Sequence, residues 1–269
     1  MNRPPHLRTI LTIVRFTLVE NAGRRHLWWM IGVAFTLATG LALVGTFFPL
    51  PGFTTLQTVE LFASTPASYF VLVVLVVLGL GLMRAEIDSG VAALILSRPV
   101  TAAEYVLGRY LGNAVAVAAS LAVLGGGAFL VVLAGGDADW KLLYHFLVLS
   151  WNACVFLALV GALGVLIGTV AAIAVGALSF YALGSGGTYL ISGIVDAGAI
   201  TGAAAVVLRL FVALAPHVLA SPLSAGQETV IGDAVFVFPG PTLADFVWSA
   251  TWLVGALLFT IVLVERREL

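Results

Sequence analysis

Residues 84–112 read RAEIDSGVAALILSRPVTAAEYVLGRYLG and separate two long apolar segments of the chain. They hold six of its 12 basic and 13 acidic residues, together with one proline and three glycines. Val91, Leu94 and Ile95 are spaced i, i+3 and i+4, which predicts a short helix over 88–97 with one apolar face. Such a face suits a docking partner, and the same spacing also fits a patch that lies on lipid or on the protein itself.

A break and a second helix follow directly. Pro99 ends the first helix, because proline disfavours helical backbone at the preceding residue and has no N–H to donate. Thr101 and Glu104 have the spacing of a capping box, in which each side chain accepts a hydrogen bond from the other's backbone N–H. Gly108 and Gly112, four residues apart, permit close approach of another backbone. The stretch therefore predicts a stiff elbow made of two helices.

The rest of the chain has the composition of a membrane protein. It is 61% hydrophobic and 9% charged, whereas soluble domains carry about 25% charged residues. Five segments without Asp, Glu, Lys or Arg come close to or exceed the roughly 20 residues of a membrane helix, and they are 28–48, 61–83, 110–136, 142–195 and 246–264. The fourth is too long for one crossing, so we predict two helices there, with the turn in the small-residue stretch between Gly161 and Gly176.

These segments predict an all-α polytopic membrane protein with six transmembrane helices in a single domain, 1–269, without a nucleotide-binding domain. An N-terminal amphipathic helix and a cytoplasmic elbow at 84–109, between helices two and three, complete this fold. Placing both termini in the cytoplasm puts ten of the 12 basic residues inside, as the positive-inside rule expects. These ten are Arg3, Arg8, Arg15, Arg24, Arg25, Arg84, Arg98, Arg109, Arg266 and Arg267.

Two further segments are predicted to lie at the membrane surfaces. Residues 5–26 form an amphipathic helix on the inner leaflet, with an apolar stripe of Leu7, Ile10, Leu11, Val14 and Leu18. A seventh crossing at 197–220 would bury Arg209 at a cost of about 2.5–3.5 kcal/mol. We therefore expect a shallow or re-entrant helix that ends at Pro216, within an outer-face segment over 193–243.

The sequence contains no pattern typical of a catalytic or metal site. Its one cysteine, Cys154, can form neither an internal disulfide nor a thiolate metal site. The four histidines have no H-E-x-x-H spacing, and we expect His145 to lie near the outer boundary and be solvated. No carboxylate falls inside the predicted spans, which disfavours a proton-coupled carrier. No basic cluster indicates binding to nucleic acid.

Three parts of the opening stretch carry a family resemblance: EIDSG at 86–90, LILSRPV at 94–100 and VLGRYLG at 106–112. They resemble the permease subunits of type-2 ABC transporters. Such permeases carry an acidic residue and a glycine after the second helix, then a leucine-rich run that ends in Ser-x-Pro-Val, then a Leu-Gly-Lys/Arg pattern.

The resemblance implies a transporter driven by a separate ATPase subunit on the cytoplasmic side, in which the elbow is the coupling helix. ATP and Mg then bind to that partner, and this chain holds no cofactor. The sequence agrees, because it lacks G-x-x-x-x-G-K-[ST] and its only lysine, Lys141, falls outside in the predicted topology. The expected coupling interface consists of Glu86, Asp88, Gly90, Val91, Leu94, Ile95, Ser97 and Pro99.

The resemblance also implies a second permease, either a copy of this chain or a related one, in a prokaryotic plasma membrane. We expect Glu86 to fix the elbow by pairing with Arg84 or with an arginine of the N-terminal helix. In related permeases the second and fifth helices face the substrate path. The fifth predicted helix, 170–191, carries a polar stripe of Tyr181, Ser185 and Thr188, which is our candidate lining; these hydroxyls can equally bond within the helix or to a neighbour.

Two other functions fit the same sequence. One is a permease-like subunit that transmits mechanical work to a partner on the outer face through 193–243. The other is a carrier or channel that needs no ATP. In each case the chain is a transport or force-transmitting subunit surrounded by membrane lipid, without a catalytic site of its own.

Overall fold

The computed structural model describes residues 6–51, 54–80, 86, 89–90, 100–135, 140–167, 171, 175, 195, 202–214, 228–231, 234–237 and 240–266. Within these ranges the chain forms seven helices and one antiparallel hairpin. In chain order they are α1 (Leu7–Gly23), α2 (Arg25–Phe47), α3 (Thr55–Leu80), α4 (Ala102–Ala134), α5 (Trp140–Ile167), α6 (Ala203–Leu214), β1 (Glu228–Ile231), β2 (Ala234–Val237) and α7 (Leu243–Arg266).

Four helices are long and apolar enough to cross a membrane. They are α2 from Leu27 onwards, α4, α5 and α7, with 21, 33, 28 and 24 residues respectively. The predicted helical, multi-pass character is therefore confirmed. α3 occupies the place of the predicted second crossing, and the fifth predicted crossing falls outside the described residues except at 171 and 175.

The helix starts are set by a repeated local signal. At three N-termini a threonine hydroxyl accepts a hydrogen bond from the backbone N–H three residues later, while the side chain of that later residue accepts one from the threonine N–H. The pairs are Thr54–Gln57 for α3, Thr101–Glu104 for α4 and Thr242–Asp245 for α7. The predicted capping box of α4 is confirmed, with N···O distances of 2.8 and 3.2 Å.

α2 and α3 pack as an antiparallel pair through small side chains. Ala34, Ala38 and Ala42 recur every fourth residue on α2, and Ala63 and Ala67 face them from α3. All five are buried. Alanines at this spacing let two helix backbones approach closely, which is how membrane helices gain van der Waals contact without a hydrophobic drive.

α1 packs across the first turns of α4, where two glycines make room for it. A Cβ atom at Gly108 would lie 2.6 Å from the Cβ of Ile13, and one at Gly112 would lie 2.6 Å from the Cβ of Thr17. The predicted close approach at these glycines is confirmed, and its partner is the N-terminal helix. α4 also packs on α2 and α5, and α7 packs on α5.

The burial of α1 differs in part from the predicted stripe. Leu7 and Leu11 are exposed, as a lipid-facing stripe requires, but Ile10 is buried. Thr17 and Asn21 are buried as well, and the Asn21 amide donates to the Asn113 side-chain oxygen at 2.8 Å. The face of α1 that packs on the protein is the one that fits against Gly108 and Gly112 and forms the Asn21–Asn113 hydrogen bond. Hydrophobicity alone therefore did not identify this face.

The prediction that His145 is solvated is wrong. His145 is only 7% exposed, because α5 begins at Trp140 and places it more than one turn inside the helix. Glu60 is a separate case: it lies before the predicted crossing 61–83 but within α3, which begins at Thr55, and it is 8% exposed. A buried carboxylate therefore does occur in the helical bundle.

The predicted turn between the fourth and fifth crossings is also misplaced at its start. Gly161 and Gly164 lie inside α5, which continues to Ile167. Glycine is common within membrane helices and does not by itself end one. The remainder of the predicted turn lies outside the described residues.

The segment 193–243 contains short elements. α6 has 12 residues and includes Arg209, a length of about 18 Å that is short for a crossing. β1 and β2 pair in antiparallel register, Glu228 with Val237 and Ile231 with Ala234. The shallow position of this segment on the outer face stays a prediction.

We expect Gly112→Ala to lower the free energy of unfolding by about 1–3 kcal/mol, because the added methyl overlaps Thr17 and overpacks the α1–α4 contact. The thermal midpoint in detergent measures this. Gly126→Ala, also on α4, is the matched control because no atom lies within 4 Å of its Cβ position. Equal midpoints for the two variants would show that α1 does not pack here.

Candidate functional site

The described part of the elbow is held to the bundle by a group of charges that we call the ionic cluster: Glu20, Arg24, Glu86 and Arg109. Arg109 donates through Nη1 to Glu20 Oε2 at 2.6 Å and through Nε to Glu86 Oε2 at 3.1 Å. Arg24 donates through Nη2 to Glu20 Oε1 at 2.6 Å. Arg109 thus lies between two carboxylates, one on α1 and one at the start of the elbow.

Helical spacing explains why these groups meet. Tyr105 and Arg109 are four residues apart on α4 and share a face, and the Tyr105 hydroxyl also donates to Glu86. Glu20 and Arg24 have the same spacing around the end of α1. On α1, Thr17 lies one turn before this pair, and its Oγ1 accepts from Arg109 Nη1 at 3.1 Å.

The cluster is largely withdrawn from solvent. The side chains of Arg109 and Glu86 are 7% and 13% exposed, and that of Glu20 is 32% exposed. The Phe16 ring covers the guanidinium, with its centroid 5.6 Å from Arg109 Cζ. Replacing a whole buried ion pair by apolar groups can be neutral, but removing one partner leaves an uncompensated charge and is strongly destabilising. The cluster therefore holds three segments in one arrangement.

The two arginines also set the protonation of Glu20. Partial burial raises the pKa of this carboxyl, but hydrogen bonds and charge attraction from Arg109 and Arg24 outweigh burial and lower the pKa below its usual value of 4.5. Glu20 is therefore ionised at neutral pH, which keeps both of its arginine contacts in place.

Glu104 is a second carboxylate that connects α1 to α4. Its Oε2 accepts from the Thr101 N–H within the capping box, and its Oε1 accepts from the His6 N–H at 2.6 Å. Glu104 is 1% exposed, so one buried side chain satisfies the backbone at the starts of two helices. Sequence reasoning missed the contact with His6, because nothing in the local pattern relates residues so far apart in the chain.

One of the two predicted partners of Glu86, an arginine of the N-terminal helix, is wrong, and the other, Arg84, is not tested. The Glu86 carboxylate binds Arg109 and Tyr105, and no arginine of the N-terminal helix takes part. Arg8 and Arg15 are exposed on α1, and Arg24 is bound to Glu20. The i, i+4 spacing of Tyr105 and Arg109 was the signal that could have identified the true partners. Arg84 lies outside the described residues.

Gly90 is the one other predicted interface residue that the structure describes. It has φ +75°, a left-handed backbone conformation that glycine adopts without the steric cost paid by other residues. Gly90 thus has a conformational reason to be glycine. Outside the described residues lie Asp88, Val91, Leu94, Ile95, Ser97 and Pro99, as well as the predicted path residues Tyr181, Ser185 and Thr188.

This arrangement fixes charges and connects segments of the chain. In the part of the chain with described coordinates, no three His, Cys, Asp or Glu side chains are grouped so that they can hold a metal ion. In comparisons with protein-family models and with curated protein sequences, nothing matches this chain.

We expect Glu86→Gln to lower the free energy of unfolding by about 3 kcal/mol, because it removes one of the two charges that compensate buried Arg109. Glu265→Gln is the control, since Glu265 is exposed near the end of α7. Combining Glu86→Gln with Arg109→Gln in a double-mutant cycle should give a coupling energy above about 1 kcal/mol. Additive losses would contradict the ion pair.

Glu20 predicts a specific pH dependence. Its pKa is lower in the folded protein than in the unfolded chain, so its stabilising contribution is complete above about pH 4.5 and is lost as the pH falls through the folded-state value. The thermal midpoints of the wild type and of Glu20→Gln should therefore differ at pH 7 and approach each other as the pH falls below 4.5. A difference that does not shrink on acidification would exclude this role of Glu20.

Proposed function

We propose that this chain is the permease subunit of a type-2 ABC transporter, which moves its substrate across the membrane with ATP hydrolysed by a separate ATPase subunit. The observation that carries the proposal is the ionic cluster. It fastens the first residues of the elbow, whose sequence resembles the ATPase-coupling segment of such permeases, to α4 and α1 through Arg109.

The length of α4 supports a role in force transmission. Its 33 residues correspond to about 50 Å, whereas the hydrocarbon layer is about 30 Å thick. About 20 Å of the helix therefore projects beyond the hydrocarbon. In our proposal the projecting part is the N-terminal one, which carries Tyr105 and Arg109, so the ionic cluster lies in the cytoplasmic interface and not among lipid tails.

The contacts define a path for movement. An ATPase subunit that displaces the elbow pulls on Glu86, and Glu86 pulls on Arg109 of α4. Arg109 is also bound to Glu20 and Thr17, so α1 moves with α4. The capping box at Thr101 and the left-handed turn at Gly90 lie on either side of the intervening segment, and the capping box fixes the start of α4.

We assign ATP and Mg to a separate partner chain, because these 269 residues contain no phosphate-binding motif G-x-x-x-x-G-K-[ST]. We propose the stripe of Tyr181, Ser185 and Thr188 as the lining of the path and an amphipathic, lipid-like substrate. A second permease, identical or related, completes the transporter.

The outer segment keeps one alternative open. It contains α6 and the β1–β2 hairpin between α5 and α7, and a hairpin offers strand edges to which a partner strand can add. A subunit that passes mechanical work to a partner on this face would use the same elbow and ATPase but would carry no substrate.

The first experiment is purification of the tagged chain from its own membranes in mild detergent, followed by mass spectrometry of the bound proteins. We expect an ATPase with Walker motifs to co-purify with the wild type and to be lost with Leu94→Asp. Thr12→Asp is the matched control, because it places the same charge at an exposed position of α1. Absence of an ATPase from folded wild-type preparations would refute the proposal.

A second variant separates docking from coupling. Glu86→Gln should retain the ATPase subunit, because the proposed docking face is intact, and should lower transport-coupled ATP hydrolysis about tenfold. Full hydrolysis and transport in this variant would show that the ionic cluster is not the coupling route. Full hydrolysis with no substrate crossing in the wild type would favour the force-transmitting alternative.

A further inference from the structure

A groove runs along the outer surface of the α2–α3 pair. Its volume is about 550 Å³. Its walls include four residues of α2 at successive turns and two of α3, namely Trp29, Val33, Leu37, Leu41, Pro66 and Tyr69. Trp29 is 76% exposed and Val33 is 55% exposed, so the groove is open sideways. Because α2 has the length and composition of a membrane helix, that opening faces the hydrocarbon of the bilayer.

The length of the groove suits a narrow, extended occupant. Trp29 and Leu41 are twelve residues apart on one helix, which gives a length of about 18 Å. An extended hydrocarbon chain, whose carbons contact neighbours at about 3.5–4.0 Å, can lie along a groove of this length with a volume of about 550 Å³.

The lining makes no demand for hydrogen bonds. Thr65 borders the groove, and its hydroxyl already donates to the Leu61 carbonyl of its own helix at 2.8 Å. The other lining side chains are apolar apart from the Tyr69 phenol and the Trp29 indole N–H, and both of these residues are exposed at the open surface. An occupant therefore gains dispersion contacts and needs to offer no polar group along the groove, as an acyl chain does.

One end of the groove carries a positive charge. Arg25 precedes Trp29 by four residues and so lies on the same face of α2, one turn beyond the groove. It is exposed, and within the described coordinates no carboxylate pairs with it, whereas neighbouring Arg24 is held by Glu20. A guanidinium beside an interfacial tryptophan is suited to a phosphate at the level of lipid headgroups.

We propose that the α2–α3 groove binds one acyl chain of an anionic phospholipid, with Arg25 contacting the phosphate of that lipid and Trp29 marking the membrane interface. This site is separate from the ionic cluster and does not depend on the transport function proposed above. Its lipid is held along the helix pair and is distinct from any molecule that passes through the protein.

Fluorescence quenching tests the site with a defined probe. The full chain is reconstituted in nanodiscs of phosphatidylcholine that contain a minor fraction of phosphatidylglycerol with brominated acyl chains, which quench tryptophans on contact. The quenching of Trp29 is obtained as the difference in quenching between the wild type and Trp29→Phe. We expect this quenching to exceed the value calculated for random mixing of the two lipids. It should fall when the same fraction of bromine is carried by phosphatidylcholine instead of phosphatidylglycerol.

Paired variants test the groove and its charged end. Thr65→Phe fills the groove and should reduce binding at least about tenfold, whereas Thr36→Phe should leave it unchanged. Thr36 is the matched control because it is exposed on α2, outside the groove, and its hydroxyl also bonds within its own helix. Arg25→Gln should weaken the preference for phosphatidylglycerol about fivefold. Thermal midpoints confirm that each variant is folded.

Several results would overturn the proposal. Equal quenching in Thr65→Phe and Thr36→Phe, or equal quenching by brominated phosphatidylcholine, would show ordinary contact with bulk lipid. A preference for phosphatidylglycerol that survives Arg25→Gln would remove the assigned phosphate contact. Efficient disulfide cross-linking of Leu37→Cys between two chains in native membranes would show that a second copy covers the groove.

Discussion

The guanidinium of Arg109 is a charge withdrawn from water, and three separate segments of the chain are arranged around it. α4 carries it, α1 supplies Glu20 and Thr17, and the elbow supplies Glu86. Because a buried charge is tolerated only when it is paired and hydrogen-bonded, none of these segments can move away alone. The packing glycines serve the same end, since only a close backbone approach brings Thr17 within reach of Arg109.

This constraint ties the described ends of the elbow to the bundle. Glu86 is fixed at one side by Arg109, and Glu104 fixes the following helix start while binding the His6 N–H. Movement imposed on the elbow therefore reaches α1 and α4 together. The α2–α3 pair is built differently, from alanines and without ionic links to α4 among the described residues, and its apolar outer groove is the natural place for a lipid chain.

The sequence predicted the features that depend on local spacing. The capping box at Thr101, the close approach at Gly108 and four of the six predicted helices of spanning length follow from short patterns and are present in the described residues. It failed where partners are distant: the contact of Glu86 with Arg109 and the burial of His145 depend on how helices pack. The charge-free segment that starts at 61 did not locate the start of α3 either. That helix is capped at Thr54 and includes the charged but buried Glu60.

The link between His6 and Glu104 joins residues 98 positions apart, and this separation bears on the order of assembly. α1 is synthesised before α4, yet Glu104, Gly108, Arg109 and Gly112, which hold it, all belong to that later helix. These contacts can form only once α4 has been made. The packing of α1 is therefore a late event in the assembly of the chain.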